Sequence, residues 1–165
     1  MEITRHGEAQ QTNGQAPQIG HVIPAFSLQR ADGSKLTNAD LDAAHTLISV
    51  VPDITTRVCS ISTKEFNKSV DQFKDVRFLT VSTNTTEQQQ YWCAAEGVQS
   101  IELVSDADGE FGRSMGLYVD GNNTDARSVW ILDQDGKIVY REIIKEQSDE
   151  PDYSSALAYL EAHQH

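Results

Sequence analysis

The sequence predicts an α/β domain in which a mixed central β-sheet lies between helices. Two observations predict this class. Apolar segments of strand length alternate with segments of helical periodicity along most of the chain, and a hairpin signal and a last helix follow them. The 165 residues suffice for one such domain, predicted over 20–165, with an N-terminal arm or β-hairpin over 1–19.

The first strands and the first helix are predicted as follows. Residues 24–29 alternate apolar and polar side chains, which indicates a half-buried strand. The apolar run at 46–51 is typical of a strand covered on both faces, and Pro52 ends it. Over 59–74, apolar residues recur four and three positions apart and predict a helix.

A third strand and the second helix come next. The strand is predicted over 76–82. Asn84 and Thr85 are both good helix N-caps, each with an acidic or amide side chain three positions later, and Gly97 suits the C-terminal end of a helix. A helix is therefore predicted between them.

The last part of the chain supplies three strands and two helices. A strand is predicted at 101–104 and a short helix at 110–115. An Asp-Gly turn between 128–132 and 138–143 is a strong signal for an antiparallel hairpin, and Pro151 precedes the last helix. The order β-α-β-α-β, followed by a hairpin and a helix, predicts a thioredoxin-like arrangement.

The charge balance excludes some classes of partner. The chain has 13 basic and 25 acidic side chains and a formal net charge of −12. Such a surface repels nucleic-acid phosphates and anionic lipids, so neither nucleic acid nor a membrane is expected as a partner. The chain has no apolar run of about 18 residues, and its first residues lack the apolar core of a secretion signal. We therefore expect a cytoplasmic protein.

Two cysteines, Cys59 and Cys93, are the candidates for redox chemistry. They form no Cys-x-x-Cys motif, and the five histidines show no metal-ligand spacing relative to them, so no metal site is expected. A purely structural disulfide is not expected in a reducing cytosol. Two interpretations remain, a pair of inert buried thiols or a transient redox pair, and composition alone favours the inert pair.

The position of Cys59 in the chain suits a reactive thiolate. It follows a strand, a proline and a short loop, and it opens a predicted helix. Unpaired backbone N–H groups and the helix dipole favour an anion there, which lowers the pKa of a thiol. The alternative is that Cys59 packs as a small apolar residue, and position alone does not separate the two.

Local motifs resemble a known family. They are, in chain order, PDITTRVC at 52–59, KEFN at 64–67, WCAAEG at 92–97, ARSV at 126–129 and EPDY at 150–153. The first has the pattern Pro-x-x-x-Thr-x-x-Cys and resembles the peroxidatic loop of peroxiredoxins. The third, WCAAEG, resembles the resolving-cysteine helix of their thiol peroxidase branch, the atypical two-cysteine peroxiredoxins.

The resemblance implies a role for each matched residue. Cys59 would attack the peroxide and become a sulfenic acid, and Cys93 would resolve it as an intrachain disulfide. Thr56 would present its hydroxyl to the thiolate and the peroxide, besides capping the helix. Pro52 would shield the sulfur, besides ending the strand. Arg127, which alone would suggest a surface charge, would lower the thiol pKa and polarise the O–O bond.

The implied function is a thiol-dependent peroxidase for hydrogen peroxide and organic hydroperoxides. Thioredoxin would reduce the disulfide. The scheme needs no metal, flavin, haem or other cofactor. Members of the family commonly form homodimers. Helices that carry the two cysteines would unfold locally so that the disulfide can form, because bridged Cα atoms lie within about 7 Å. Two alternatives stay open: a peroxide sensor or disulfide relay that uses the same pair, and a non-catalytic binding module.

Three features depart from the family pattern. Thr55 stands where members usually have Asp, and Arg57 where they usually have a small residue; we expect Arg57 to point into solvent rather than towards the thiolate. Residues 84–89 lack the Leu, Pro and Phe of a stretch that borders the substrate pocket in the family. A preference for bulky alkyl hydroperoxides is therefore not expected to carry over.

Overall fold

The structure, a computed structural model, describes residues 1–41, 43–69, 73, 75–96 and 101–163, without the side chains of 57–60, 62, 69 and 94–96. The strands are β1 (Glu2–Arg5), β2 (Glu8–Gln11), β3 (Ser27–Gln29), β4 (Lys35–Thr37), β5 (His45–Val50), β6 (Val76–Ser82), β7 (Glu102–Ser105), β8 (Tyr118–Val119), β9 (Thr124–Asp125), β10 (Ser128–Asp133) and β11 (Ile138–Ile143). The helices are α1 (Arg57–Ser69), α2 (Thr86–Glu96), α3 (Glu110–Met115) and α4 (Tyr153–Ala162), with a short 3₁₀ helix at Asn38–Asp40.

One seven-stranded sheet organises the domain. Its order is β11-β10-β5-β6-β7-β3-β4. The central strands β5, β6 and β7 are parallel, whereas β10 and β11 on one side and β3 and β4 on the other pair antiparallel. The predicted mixed sheet with a C-terminal hairpin is therefore confirmed.

Alternating side chains divide the core between the two faces of the sheet. In β5, Leu47 packs into one apolar cluster and the next residue, Ile48, packs into the other, because successive strand residues point to opposite faces. The first face is covered by α1, α2 and α4, which contribute Phe66, Trp92 and Leu160. The opposite face is covered by α3 and by the N-terminal segment, which contribute Phe111, Met115 and Ile3.

The predicted N-terminal hairpin is confirmed as β1 and β2. Its two-residue turn places His6 at φ 50° and Gly7 at φ 81°, both in the left-handed region that a tight hairpin turn of this kind requires. Ile3 is 1% exposed in the core, and the N–H of Thr4 donates to the carbonyl of Lys145. The hairpin is thus packed onto the body of the domain. The predicted boundary between the segment 1–19 and the domain 20–165 stays a prediction.

Some predicted elements differ from those observed. The strand expected at 24–29 contains regular pairing only at Ser27–Gln29, and β4, β8 and β9 were not predicted because strands of two or three residues carry too little periodicity. Helix α1 begins two residues before Cys59. Residues 70–72, residue 74 and Gly97 of the predicted helices lie outside the described residues. No described helix is long and apolar enough to cross a bilayer.

A buried acidic pair joins α3 to β9. Asp106 and Asp125 are both fully buried, and Asp106 accepts hydrogen bonds from the N–H groups of Phe111 and Gly112, each at 2.9 Å. A Cβ at Gly112 would overlap the Asp125 carboxyl. Burial and the neighbouring Asp106 carboxylate raise the pKa of Asp125 well above its ordinary value. Asp125 is therefore the member of the pair that holds a proton.

This pair predicts how stability depends on pH. A carboxyl whose pKa is raised on folding stabilises the fold at low pH, and this contribution is lost as the pH rises from the unfolded value of about 3.9 through the folded value. Asp125→Asn, which is neutral at every pH, should therefore lose less thermal stability than the wild type as the pH rises. Thermal melting over a series of pH values measures this. Asp120→Asn, at an exposed position, is the control, and parallel melting curves for wild type and Asp125→Asn would contradict the assignment.

Candidate functional site

The sheet brings two distant segments of the chain together. Strand β10 runs antiparallel to β5, and Ser128 at its start lies opposite Val50 at the end of β5. The residue before Ser128 is Arg127, and Pro52 follows β5 after one further residue. The register of the two strands therefore places Arg127 beside the loop that leads into α1.

Arg127 is a buried cation in a fixed position. Its side chain is 3% exposed, and its Nε donates a hydrogen bond of 3.0 Å to the backbone carbonyl of Gln147. The N–H of Arg127 donates to Oε1 of Gln147 at 2.6 Å. Gln147 is itself held by hydrogen bonds that it donates to the carbonyls of Ile144 and Thr4. These contacts leave the guanidinium little freedom to move.

The loop between β5 and α1 is held by its own side chains. Thr56 is half-buried, and its hydroxyl and its N–H both donate to the carbonyl of Asp53, at 2.9 and 3.1 Å. With its proton used in this way, the Thr56 oxygen keeps lone pairs that can accept a further hydrogen bond. Thr55, where the family usually has Asp, is exposed and donates to the Asp53 carboxylate through its hydroxyl at 2.7 Å.

Three of the predicted residues line one pocket. Pro52, Thr56 and Arg127 form part of a cavity of about 190 Å³. Its remaining described walls are Arg5, His6, Gln147 and Ser148. No motif in the sequence points to these four residues. The His6-Gly7 pair between two short alternating segments is a hairpin signal, but nothing in the sequence shows where the hairpin packs.

The two cysteines lie on different helices. Cys59 is the third residue of α1, so it belongs to the first turn, where the backbone N–H groups lack an intrahelical acceptor. The side chain of Cys59 lies outside the described residues. The Arg57 side chain also lies outside them. Cys93 is in α2, where it is a half-buried free thiol packed against the cluster that contains Trp92. Burial raises the pKa of the Cys93 thiol, so Cys93 stays protonated at neutral pH.

Asn84 connects the Thr56 loop to the start of α2. Its Oδ1 accepts from the N–H of Ile54 at 2.8 Å, and its Nδ2 donates to Oδ1 of Asp53 at 3.0 Å. Partial burial opposes ionisation of Asp53, but hydrogen bonds from Thr55 and Asn84 outweigh it and hold the pKa of Asp53 below its ordinary value. A carboxylate at position 84 would instead repel Asp53.

The stretch 84–89 caps α2 but does not line the pocket. Thr85 and Gln88 form a reciprocal capping box, in which each backbone N–H donates to the other side chain at 3.2 Å or less. The buried Gln89 donates to Ser82 and to the carbonyl of Val104. None of these six positions is among the described residues that line the pocket. No group of three or more His, Cys, Asp or Glu side chains in the described part of the chain is placed to hold a metal ion.

Comparison with known proteins identifies the family. The pattern of the AhpC/TSA family matches residues 19–141. The chain belongs to the AhpC/TSA family. It is 34% identical to a thiol peroxidase of Bacillus subtilis (strain 168) over 162 residues, which cover 98% of this chain and 97% of that protein. It is 37% identical to a thiol peroxidase of Staphylococcus aureus (strain COL) over 158 residues, or 95% and 96% of the two chains.

A solved structure supports the fold. The crystal structure of a peroxiredoxin-like protein from Aquifex aeolicus superimposes with a TM-score of 0.91 at 22% identity, over 98% of this chain and 96% of that one. The predicted thioredoxin-like fold is therefore confirmed. The resemblance to thiol peroxidases is also confirmed, and with it the enzyme class, a peroxiredoxin-type oxidoreductase. The roles of the individual AhpC/TSA site residues stay predictions.

The Asn84 link predicts how firmly the loop is held. Asn84→Ala removes the acceptor of the Ile54 N–H and a donor to Asp53. A lost hydrogen bond of this kind costs about 1.4 kcal/mol, so amide exchange over 53–56 should speed up about tenfold. Hydrogen-exchange mass spectrometry measures this. Gln90→Ala, at an exposed position of α2, should leave the exchange unchanged, and equal exchange in all three proteins would show that Asn84 does not hold the loop.

Proposed function

We propose that this protein reduces hydrogen peroxide and organic hydroperoxides through a Cys59 sulfenic acid and a Cys59–Cys93 disulfide. One observation carries the proposal: Pro52, Thr56 and Arg127, which the motifs single out, line the same pocket at the start of α1. They come from segments more than seventy residues apart in the sequence, so their meeting depends on the fold.

The surroundings of α1 favour a thiolate at Cys59. Position 59 lies in the first turn of α1, where free N–H groups and the positive end of the helix dipole stabilise an anion. Arg127 adds a permanent cation to the same pocket, and its burial strengthens its field because water screens it less. Both effects lower the pKa of a thiol. A thiolate is the form of cysteine that attacks peroxide.

The first step consumes one peroxide. The Cys59 thiolate attacks the terminal oxygen, the S–O bond forms and the O–O bond breaks, and the remaining alkoxide takes a proton to leave as water or an alcohol. The charge that develops on the departing oxygen is stabilised by the Arg127 guanidinium. The Thr56 oxygen accepts a hydrogen bond from the peroxide O–H and so orients it for in-line attack.

The second step uses the other cysteine. The Cys93 sulfur attacks the sulfenic sulfur of Cys59, and water leaves as the disulfide forms. A raised pKa suits Cys93 to this role, because a protonated thiol does not compete with Cys59 for peroxide. We expect α1 and α2 to unwind locally before the sulfurs meet, and the Asn84 link is one of the contacts that this motion breaks.

The third step restores the enzyme. A thioredoxin dithiol attacks the disulfide, passes through a mixed disulfide and leaves as oxidised thioredoxin, with both thiols of this chain regenerated. We further propose that the protein acts in the cytoplasm as a homodimer. The sensor or relay alternative uses the same first two steps, and sustained turnover with thioredoxin and its reductase distinguishes the enzyme from it.

Intact mass spectrometry tests the proposed chemistry. One equivalent of peroxide should lower the mass of the reduced protein by two hydrogens, and peptide mapping should locate a Cys59–Cys93 linkage. Cys93→Ser should instead gain oxygen on Cys59, because no thiol resolves the sulfenic acid. Cys59→Ser is the matched control and should keep the Cys93 thiol. If both thiols of the wild type survive this treatment, the proposed function is wrong.

A further inference from the structure

A second arginine lies at the pocket that contains Arg127. Arg5, at the end of β1, and His6, at the tip of the same hairpin, form part of the pocket wall together with Thr56 and Arg127. Arg5 is half-buried and His6 is exposed. The N-terminal hairpin therefore supplies one side of the pocket at its rim, whereas Arg127 is buried within it.

Glu146 fixes the tip of this hairpin. Its carboxylate accepts from the N–H groups of His6 and Gly7 at 3.2 and 2.8 Å, and from the hydroxyl of Thr4 at 3.1 Å. It also accepts from the hydroxyl and the N–H of Ser148, at 2.6 and 2.9 Å. Hydrogen bonds from Ser148, followed by those from Gly7 and His6, lower the pKa of Glu146 to about 2. The carboxylate is thus charged at physiological pH, and it holds Arg5 at the pocket.

The guanidinium of Arg5 is available to a ligand. Among the described residues it takes part in no ion pair. It shares the pocket wall with Pro52 and Thr56 of the loop before α1. The Asp53 carboxylate of that loop is already engaged by Thr55 and Asn84. Glu8, the cross-strand neighbour of Arg5, lines an adjoining depression together with Arg5 and His6, and no ion pair joins it to Arg5.

The charge at the pocket contrasts with that of the whole chain. The protein carries a formal net charge of −12, yet the described walls of this pocket contain two arginines and no carboxylate. A neutral peroxide needs only the inner cation, Arg127, at its reacting oxygens. The outer cation is therefore left to recognise some other part of a substrate.

We propose that Arg5 determines specificity by binding a carboxylate on the organic part of a hydroperoxide. The peroxide group would lie against Thr56 and Arg127, and the carboxylate would meet the planar guanidinium of Arg5, with the His6 ring as a further donor. This inference rests on the proposed function and adds a substrate class to it: small organic hydroperoxides that carry an acid group.

A matched pair of substrates tests the proposal. The neutral member is tert-butyl hydroperoxide, and the acidic member has one methyl hydrogen replaced by a carboxylate. The measured quantity is the ratio of kcat/KM for the acidic substrate to kcat/KM for the neutral one. Arg5→Gln should lower this ratio about fivefold to tenfold, as expected for loss of a partly exposed charge-assisted contact. Arg5→Lys, which keeps the charge, should recover part of the ratio.

Controls separate recognition from other effects. Lys35→Gln removes the same charge at an exposed position of β4 and should leave the ratio unchanged. If Arg5→Gln lowers kcat/KM for both substrates equally, or leaves the ratio unchanged, Arg5 does not select the carboxylate and the proposal is overturned while the peroxidase function stands. If the wild type reduces neither hydroperoxide nor hydrogen peroxide, the proposed function fails, and this proposal fails with it.

Discussion

The contact between Arg127 and Gln147 constrains much of this structure. Removing a guanidinium from water costs several kcal/mol unless its donors are satisfied, and Arg127 is 3% exposed. Gln147 accepts from both the Nε and the N–H of Arg127, and it donates to Thr4 and Ile144. The start of β10, the segment after β11 and the N-terminal hairpin are thereby fixed relative to one another.

This constraint explains how an acidic protein maintains a cationic pocket. The inner charge, Arg127, donates to the backbone carbonyl of Gln147, and the outer charge, Arg5, is positioned through Glu146. The oxygens of the Glu146 carboxylate accept hydrogen bonds from backbone N–H groups and hydroxyls. The start of α1 adds its own positive potential at Cys59. Arg127, Arg5 and the start of α1 therefore all favour an anion in this pocket.

The sequence predicted those parts of the molecule that depend on local patterns. Residues 76–82 form β6 as predicted, Thr85 caps α2 as expected, and the Asp-Gly turn joins β10 to β11. Arg127 could be predicted because it stands in a family motif. Arg5 and Glu146 could not, because their roles arise from the packing of a hairpin against a segment about 140 residues away, and no local pattern encodes that contact. The burial of Asp125 could not be predicted either, because it depends on how β9 packs against Asp106 and Gly112.

The central claim is that this pocket stabilises a thiolate at Cys59. The most direct measurement is the rate of Cys59 alkylation by iodoacetamide as a function of pH, in a Cys93→Ser background and with Arg127→Ala as the comparison. We expect a midpoint well below the value of about 8.5 that is ordinary for a free cysteine, and an upward shift when Arg127 is removed. A midpoint near the ordinary value that does not respond to Arg127→Ala would contradict this claim.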